Sequence, residues 1–181
     1  MKKIMFNDKY DLTKAVLEGR KTQTRRICEH QFWSFSERVD ANSNHYFPGI
    51  KMPFKEGEEV AVAQNYKDAG CDFYFHRGLA GWNNKMFVRA EEMPHRIRIT
   101  NVRVERLRDI SDEDCMKEGV IHYDDVFGEG YMLAETYNNN YRRHCFTTPR
   151  KAFAYLIDKL SGKGTWENNP WVFVYDFELI K

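Results

Sequence analysis

Apolar positions along this chain recur with two different periods, and the switches between them outline its elements. In residues 7–18, Leu12, Ala15 and Val16 share one face at helical spacing, Asn7 or Asp8 can cap the start, and Gly19 suits a left-handed residue just past the end. Residues 22–27 alternate β-branched and polar side chains and are expected to be extended, which leaves Lys21 at the hinge. Residues 28–54 keep no period and read as a long insertion loop with one short strand. A turn at Gly57 leads into a strand through Val60 and Val62, and residues 67–84 read as a hairpin built on "DFYFH". The clearest strand is 97–107. Ile97 and Ile99 share one parity and Val102 and Val104 the other, so the alternation slips near Thr100 and Asn101, as a β-bulge in a strongly curved sheet would make it.

Past that strand, Ser111 followed by Asp114 resembles a capping box, and Gly119 closes a helix of about two turns. Residues 121–146 are aromatic and Asn-rich and have no assignable period. A longer helix follows, with Thr148 as cap, Pro149 at its first position, Phe153, Leu156, Ile157 and Leu160 on one face and Gly162 at its stop. The last strand places Trp171, Phe173, Tyr175, Phe177 and Leu179 on one side. This order predicts an α+β, mainly β chain: a small bulged β-barrel with short helices at its ends, in one domain over 1–181 with insertions at about 28–54 and 121–146.

Composition changes this picture little, but charge does. The formal net charge of +1 conceals sorting: residues 1–28 carry eight Lys or Arg against three acids, and residues 109–135 carry nine acids against one Lys. No leader and no apolar run long enough for a bilayer is visible, so a cytoplasmic protein without membrane contact is expected. The four cysteines lie far apart without pairing rhythm, and neither Cys28/His30 nor His144/Cys145 has metal-ligand spacing, so no metal or cofactor is expected.

One stretch asks for more than solvation. "LEGRKTQTRRI" (17–27) gathers four cations and three hydroxyl or amide side chains behind a glycine. Arg also predominates over Lys at Arg20, Arg25, Arg26, Arg96, Arg98, Arg103, Arg106 and Arg108; guanidinium suits bidentate phosphate contact, foremost at Arg25 and Arg26, whereas the strand arginines also fit the wet side of a sheet, which either residue serves. Phe32, Trp33, Tyr46, Phe47, Tyr74, Trp82, Tyr131, Tyr137 and Tyr141 fall in weakly patterned segments where a base could stack.

The blocks "FNDKYDLTKAVLEGRKTQTRRI", "FKEGEEV", "MPHRIRITNVRVERLRDISDEDCMKEGV" and "WENNPWVFVYDFELI" resemble, in order, the ASCH domain family of phage and bacterial proteins, within the PUA-like superfamily. The resemblance runs from Phe6 to Leu179 and implies a PUA-like barrel whose cleft faces RNA or a modified nucleoside. Some relatives are N4-acetylcytidine amidohydrolases using a Lys, a Thr and a Glu, which fall here on Lys21, Thr24 and Glu118. Others are RNA-binding or ribonuclease-like, so a non-catalytic regulatory module and a ribonuclease using the same cluster stand beside the amidohydrolase. Arg20, Arg25, Arg26 and Gln64 are the candidate substrate contacts. Where many family members carry "WVRE", this chain has "AVAQ", which replaces a carboxylate with Gln64 and a charged contact with Ala63.

In the amidohydrolase reading Thr24 is the nucleophile and needs a base, which Lys21 becomes only if burial or the neighbouring arginines lower its pKa. Residues three apart face opposite ways on a regular strand, so Lys21 must lie in the turn before the strand begins. Glu118 sits at a helix C-terminus, where the macrodipole disfavours an acid, and a cation such as Lys21 would relieve it. Against these stand plainer readings: a solvated basic turn, and an exposed surface acid.

Overall fold

The computed structural model describes residues 1–28, 38–39, 45–46, 52–125, 128–137 and 140–180. In chain order its first half holds β1 (Lys2–Ile4), a 3-10 turn at Asp8–Tyr10, α1 (Leu12–Leu17), β2 (Gln23–Ile27), β3 (Arg38–Val39), β4 (His45–Tyr46), β5 (Glu59–Val62) and α2 (Phe73–His76). The second half holds β6 (Arg96–Arg106), α3 (Asp112–Lys117), β7 (Ile121–Asp125), β8 (Gly128–Tyr137), β9 (Asn140–Phe146), α4 (Pro149–Ser161), α5 (Thr165–Asn168) and β10 (Trp171–Ile180). The chain is α+β with slightly more strand than helix.

The main sheet runs β1-β5-β6-β10-β2, with the β3/β4 pair attached to β6 through His45 and Val104. β1 pairs parallel to β5 and the other neighbours are antiparallel. Asp176 faces Asn101 and Phe177 faces Ile99, so Thr100 is skipped and the bulge lies where the hydrophobic parity slips. No ladder joins β2 back to β1 among the described residues, so the expected closed barrel is not found. Yet both end strands border one cleft, and Arg26 Nη2 crosses from β2 to donate to Met5 O just past β1 at 2.7 Å. The sheet is curled with a seam between its two edges.

β10 is covered on both sides, not one. Val172 and Val174 are as buried as Phe173, Tyr175 and Phe177, because β10 lies between β6 and β2 with packed layers above and below. On one side Phe6 approaches Phe177 with ring centres 5.8 Å apart, and Phe54 meets Tyr175 edge-on at 5.4 Å. On the other, Arg25, the ladder partner of Val174, lies over the Phe153 ring of α4. α4 buries Ala152, Phe153, Leu156 and Ile157 in the same apolar cluster, while Leu160, expected on that face, is 37 % exposed on the cleft wall.

Three local expectations need correction. The helix at 7–18 is broken: Asn7 Oδ1 accepts from Lys9 N to start a 3-10 turn, Asp11 turns left-handed at φ 57°, and only then does α1 begin. The 67–84 hairpin is absent. Asp72 Oδ1 accepts from Tyr74 N and Phe75 N, which caps a single helical turn, and Phe73 packs edge-on against Trp82 in place of a cross-strand partner. Gly81 completes that fold-back, since a Cβ there would collide with the Tyr66 ring. Within 121–146, unassigned from its pattern, the described residues form a second antiparallel sheet, β7-β8-β9. It docks on the first turn of the chain through Lys9–Glu135 at 2.8 Å and Tyr141–Asp11 at 2.7 Å. Most of the expected insertion loop, with Phe32, Trp33 and Phe47, lies outside the described residues.

Candidate active site

The site begins with how α1 stops. Gly19 takes φ 73°, Arg20 N and Lys21 N both return to Ala15 O at 2.9 Å, and Thr22 N donates to Lys117 O at 3.0 Å. These three bonds place Lys21 ahead of β2 and turn its side chain inward, where it is 2 % exposed. Its ammonium has three donors, and all are used: Gln23 O at 2.8 Å, Glu118 O at 2.8 Å and Glu118 Oε2 at 2.6 Å.

Glu118 is delivered by α3. Ser111 Oγ accepts from Asp114 N at 3.0 Å to start this helix, and Glu118 is its last αR residue before Gly119 at φ 106°. A Cβ on Gly119 would lie 3.1 Å from Leu12 Cδ2, a tight approach, and at an ordinary contact distance of 3.8 Å from Lys21 Cδ, so the missing methyl group leaves room for Leu12 beside the lysine stem. The acid at a helix C-terminus is compensated from two sides, by Lys21 and by Arg25 Nη1 at 3.3 Å from its Oε1.

Arg25 is committed inside the protein. Its guanidinium meets Glu105 Oε1 at 2.5 Å and Asp114 Oδ2 at 3.2 Å, besides Glu118 and the Gln23 side chain. Arg103 extends the network to Asp114 at 2.9 Å and Asp176 at 2.5 Å, and Gln23 Nε2 donates to Asp176 Oδ1 at 2.6 Å. Asp114 and Glu118 stand four residues apart on one helical face, which is why both reach the same guanidinium.

Burial is the largest influence on the Lys21 pKa and pulls it below 10.5, with Glu118 opposing the shift and Arg26 and Arg25 adding to it. For Arg25 burial also acts downward, but Glu118, Glu105 and Asp114 together raise its pKa above the usual value. Burial raises the Asp114 carboxyl and is outweighed by Arg25 and Arg103, leaving it below the usual range. The Tyr175 hydroxyl is pushed up to about 12 by burial.

These groups border a cleft of about 750 Å³. One wall is the chain leaving β1, from Lys3 to Phe6; the opposite wall is β2 from Thr24 to Ile27; Phe54 and the α4 residues Phe153, Leu156, Ile157 and Leu160 complete it, with Lys21 and Glu118 also in its lining. The Phe177 N to Thr22 O and Cys28 N to Trp171 O bonds set the ladder phase, so the backbone groups of Gln23, Arg25 and Ile27 face away from β10. Lys21 takes the Gln23 carbonyl on that edge. Thr24 is paired with Tyr175, which puts the two side chains on one face of the sheet, and among the described residues no hydrogen bond ties the Thr24 hydroxyl.

Lys21, Thr24, Arg25, Arg26 and Glu118 are therefore brought together at one cleft. Two of the expected contacts are not. Arg20 is exposed and pairs with Glu18 at 2.6 Å, and Gln64 lines a smaller depression of about 220 Å³ with Asp8, Asp11 and Asn65, its Oε1 2.8 Å from His95 Nδ1. The residues that pattern reading missed are the walls Phe6 and Phe54 and the arginine partners Glu105, Asp114 and Asp176. Of these only Asp114 carries a signal that could have found it, its four-residue spacing from Glu118 on one helical face. Among the described residues no three His, Cys, Asp or Glu side chains converge as metal ligands, and no helix is long and apolar enough to cross a membrane. Compared with family models, curated proteins and solved structures, the chain matches none.

Proposed function

We propose that this chain is an ASCH-type protein whose main sheet is a PUA-like barrel opened at one seam, and that the cleft in the seam hydrolyses the N4-acyl amide of a cytosine-type nucleoside. The observation that carries this reading is the pairing of Lys21 with Glu118 at 2.6 Å, both nearly fully buried, in the lining of a cleft that also contains Thr24. A lysine in water is a poor base near neutrality because its proton is held too tightly; burial loosens it. In the proposed step neutral Lys21 accepts the Thr24 hydroxyl proton as the oxygen attacks the acyl carbon. The C–N bond then breaks with proton return to the departing N4, and water cleaves the resulting threonine ester to give cytidine and the free acid. Glu118 positions the lysine and relays its proton, and the Arg26 guanidinium on the same wall favours the oxyanion.

The saturation of Lys21 Nζ by three acceptors favours a second reading, in which the pair is a structural strut and the cleft holds RNA without chemistry or as a ribonuclease. Incubation with N4-acetylcytidine separates the two. Release of cytidine by the parent, with none from Lys21→Ala or Glu118→Ala, supports the hydrolase. An inert parent that retains labelled RNA in a salt-dependent way, weakened by Arg26→Ala, supports the binder.

A further inference from the structure

Every nitrogen of the Arg25 fork is engaged inside the protein, and the side chain is 1 % exposed. Nε and Nη2 bond Glu105 Oε1 of β6 at 3.1 and 2.5 Å, and Nη2 also meets Asp114 Oδ2 of α3 at 3.2 Å. Nη1 donates to the Gln23 side chain and to Glu118 Oε1, the latter at 3.3 Å. Phe153 of α4 lies over the guanidinium face. Glu105 and Asp114 thus hold one edge of the fork while the other edge is presented to Glu118. The two oxygens of that buried carboxylate are divided between two cations: Oε1 faces Arg25, and Oε2 faces Lys21 at 2.6 Å.

A lysine base must be neutral for part of each cycle. When Lys21 gives up its proton, Glu118 loses its nearest positive partner, and a buried carboxylate left alone is costly enough to pull the proton back. We propose that Arg25 is a positioning residue for this base: it stays on Glu118 Oε1 as a permanent counter-ion, so that Lys21 can discharge and recharge while the carboxylate remains in place. The proposal rests on the reading of Lys21 as the base of the cleft. A guanidinium suits the role because it does not titrate in the working range, and Glu118, Glu105 and Asp114 raise its pKa further. Its charge also joins burial and Arg26 in loosening the Lys21 proton, against Glu118. Behind the anchors, Arg103 meets Asp114 at 2.9 Å, Glu105 at 3.1 Å and Asp176 of β10 at 2.5 Å, and Lys117 reaches Asp114 at 3.3 Å. The acids that hold Arg25 are therefore compensated from their far side, which leaves Nη1 for Glu118.

The test follows the Lys21 side chain by NMR through a pH titration of the full chain labelled in its lysines, with Lys21→Met to assign the signal, and measures N4-acetylcytidine hydrolysis over the same range. Losing a cation favours the charged lysine. Arg25→Met is therefore expected to raise the Lys21 midpoint by at least about one pH unit, a tenfold tighter hold on the proton. Hydrolysis at neutral pH should fall by about tenfold and recover toward the alkaline end. Arg25→Lys keeps the charge without the fork: a smaller rise assigns the effect to charge, an equal rise assigns it to the hold on Glu118, and either supports the proposal. Arg25→Met leaves Glu105 without this partner, so Arg25→Met/Glu105→Gln accompanies it as a variant with no added unpaired acid, and a rise of the same sign is expected there. A Lys21 midpoint unmoved in all three variants overturns the proposal. So does a loss of hydrolysis that is equal at every pH with the inflection where the parent has it, which would make Arg25 a clamp and nothing more. If the parent leaves acetylcytidine intact, the hydrolase reading fails, while the lysine titration still decides what Arg25 does to Lys21.

Discussion

At the scale of single residues the site turns on one buried ammonium. Removing Lys21 from water is costly, and the Glu118 carboxylate with two carbonyls offsets that cost. Such a pair adds little net stability, but breaking it is expensive, so Lys21→Met should lower unfolding free energy by about 3–5 kcal/mol in urea titrations. Adding Glu118→Gln to that variant should recover part of the loss, and a double variant no more stable than the single one would argue against pair-wise coupling. The pH dependence has a definite sign. Because folding lowers the Lys21 pKa below 10.5, the unfolded chain binds the extra proton between the folded value and 10.5, and stability from this group rises with pH through that window. If Lys21 is the base, hydrolysis rises with pH to an inflection below 10.5, and Glu118→Gln moves the inflection lower by removing the charge that opposes deprotonation. A pH–rate profile unmoved by Glu118→Gln would take Lys21 out of the base role. The position of Lys21 was readable in advance, since Gly19 ends α1 and leaves one turn before β2. The fate of Arg25 was not: it looked like a phosphate ligand, and the acids that claim it come from 80 and 89 residues further on.

At the scale of elements, caps and parity were the dependable signals. Ser111, Thr148, Gly119 and Gly162 stand at the helix ends expected of them, and the parity slip in β6 located its bulge. Patterns failed where a polar side chain bonded locally and redirected the backbone, as Asp72 does beneath α2 and Asn7 before α1, and where cover came from elements distant in sequence, as on β10. The end of α3 offers a direct test of how an element positions chemistry. Gly57 and Gly119 both have positive φ, at 77° and 106°, but only Gly119 has neighbours within reach of a Cβ. Alanine at either should cost about 1–3 kcal/mol of stability from backbone strain. Only Gly119→Ala should also depress acetylcytidine turnover, because its methyl group crowds Leu12, which lies beside the stem of Lys21. Equal turnover in the two variants would show that the Lys21–Glu118 geometry tolerates movement of the helix end.

At the scale of the whole molecule two sheets are fastened across the first turn of the chain. Lys9 and His144 converge on Glu135, at 2.8 and 2.5 Å, and His144 stacks on Tyr155 of α4, so strands that come late in sequence brace the segment that leads into α1. The hydrogen bond from Lys9, and then that from His144, hold the Glu135 carboxyl below its ordinary value of 4.5. Stability from this group is therefore complete above 4.5 and fades as pH falls through the lower folded value. Between neutral pH and pH 3 the parent should lose more stability than Glu135→Gln, as measured by urea unfolding at each pH, and parallel curves would show that the fastening carries no acid dependence. The seam between β1 and β2 has a mechanical consequence. A sheet hydrogen-bonded all the way round can admit a guest only by rupturing a ladder, whereas one whose end strands share no ladder among the described residues can flex there like a split ring. Guests of unequal thickness then cost bending and the single Arg26–Met5 bond described across the seam, with every described strand pairing kept.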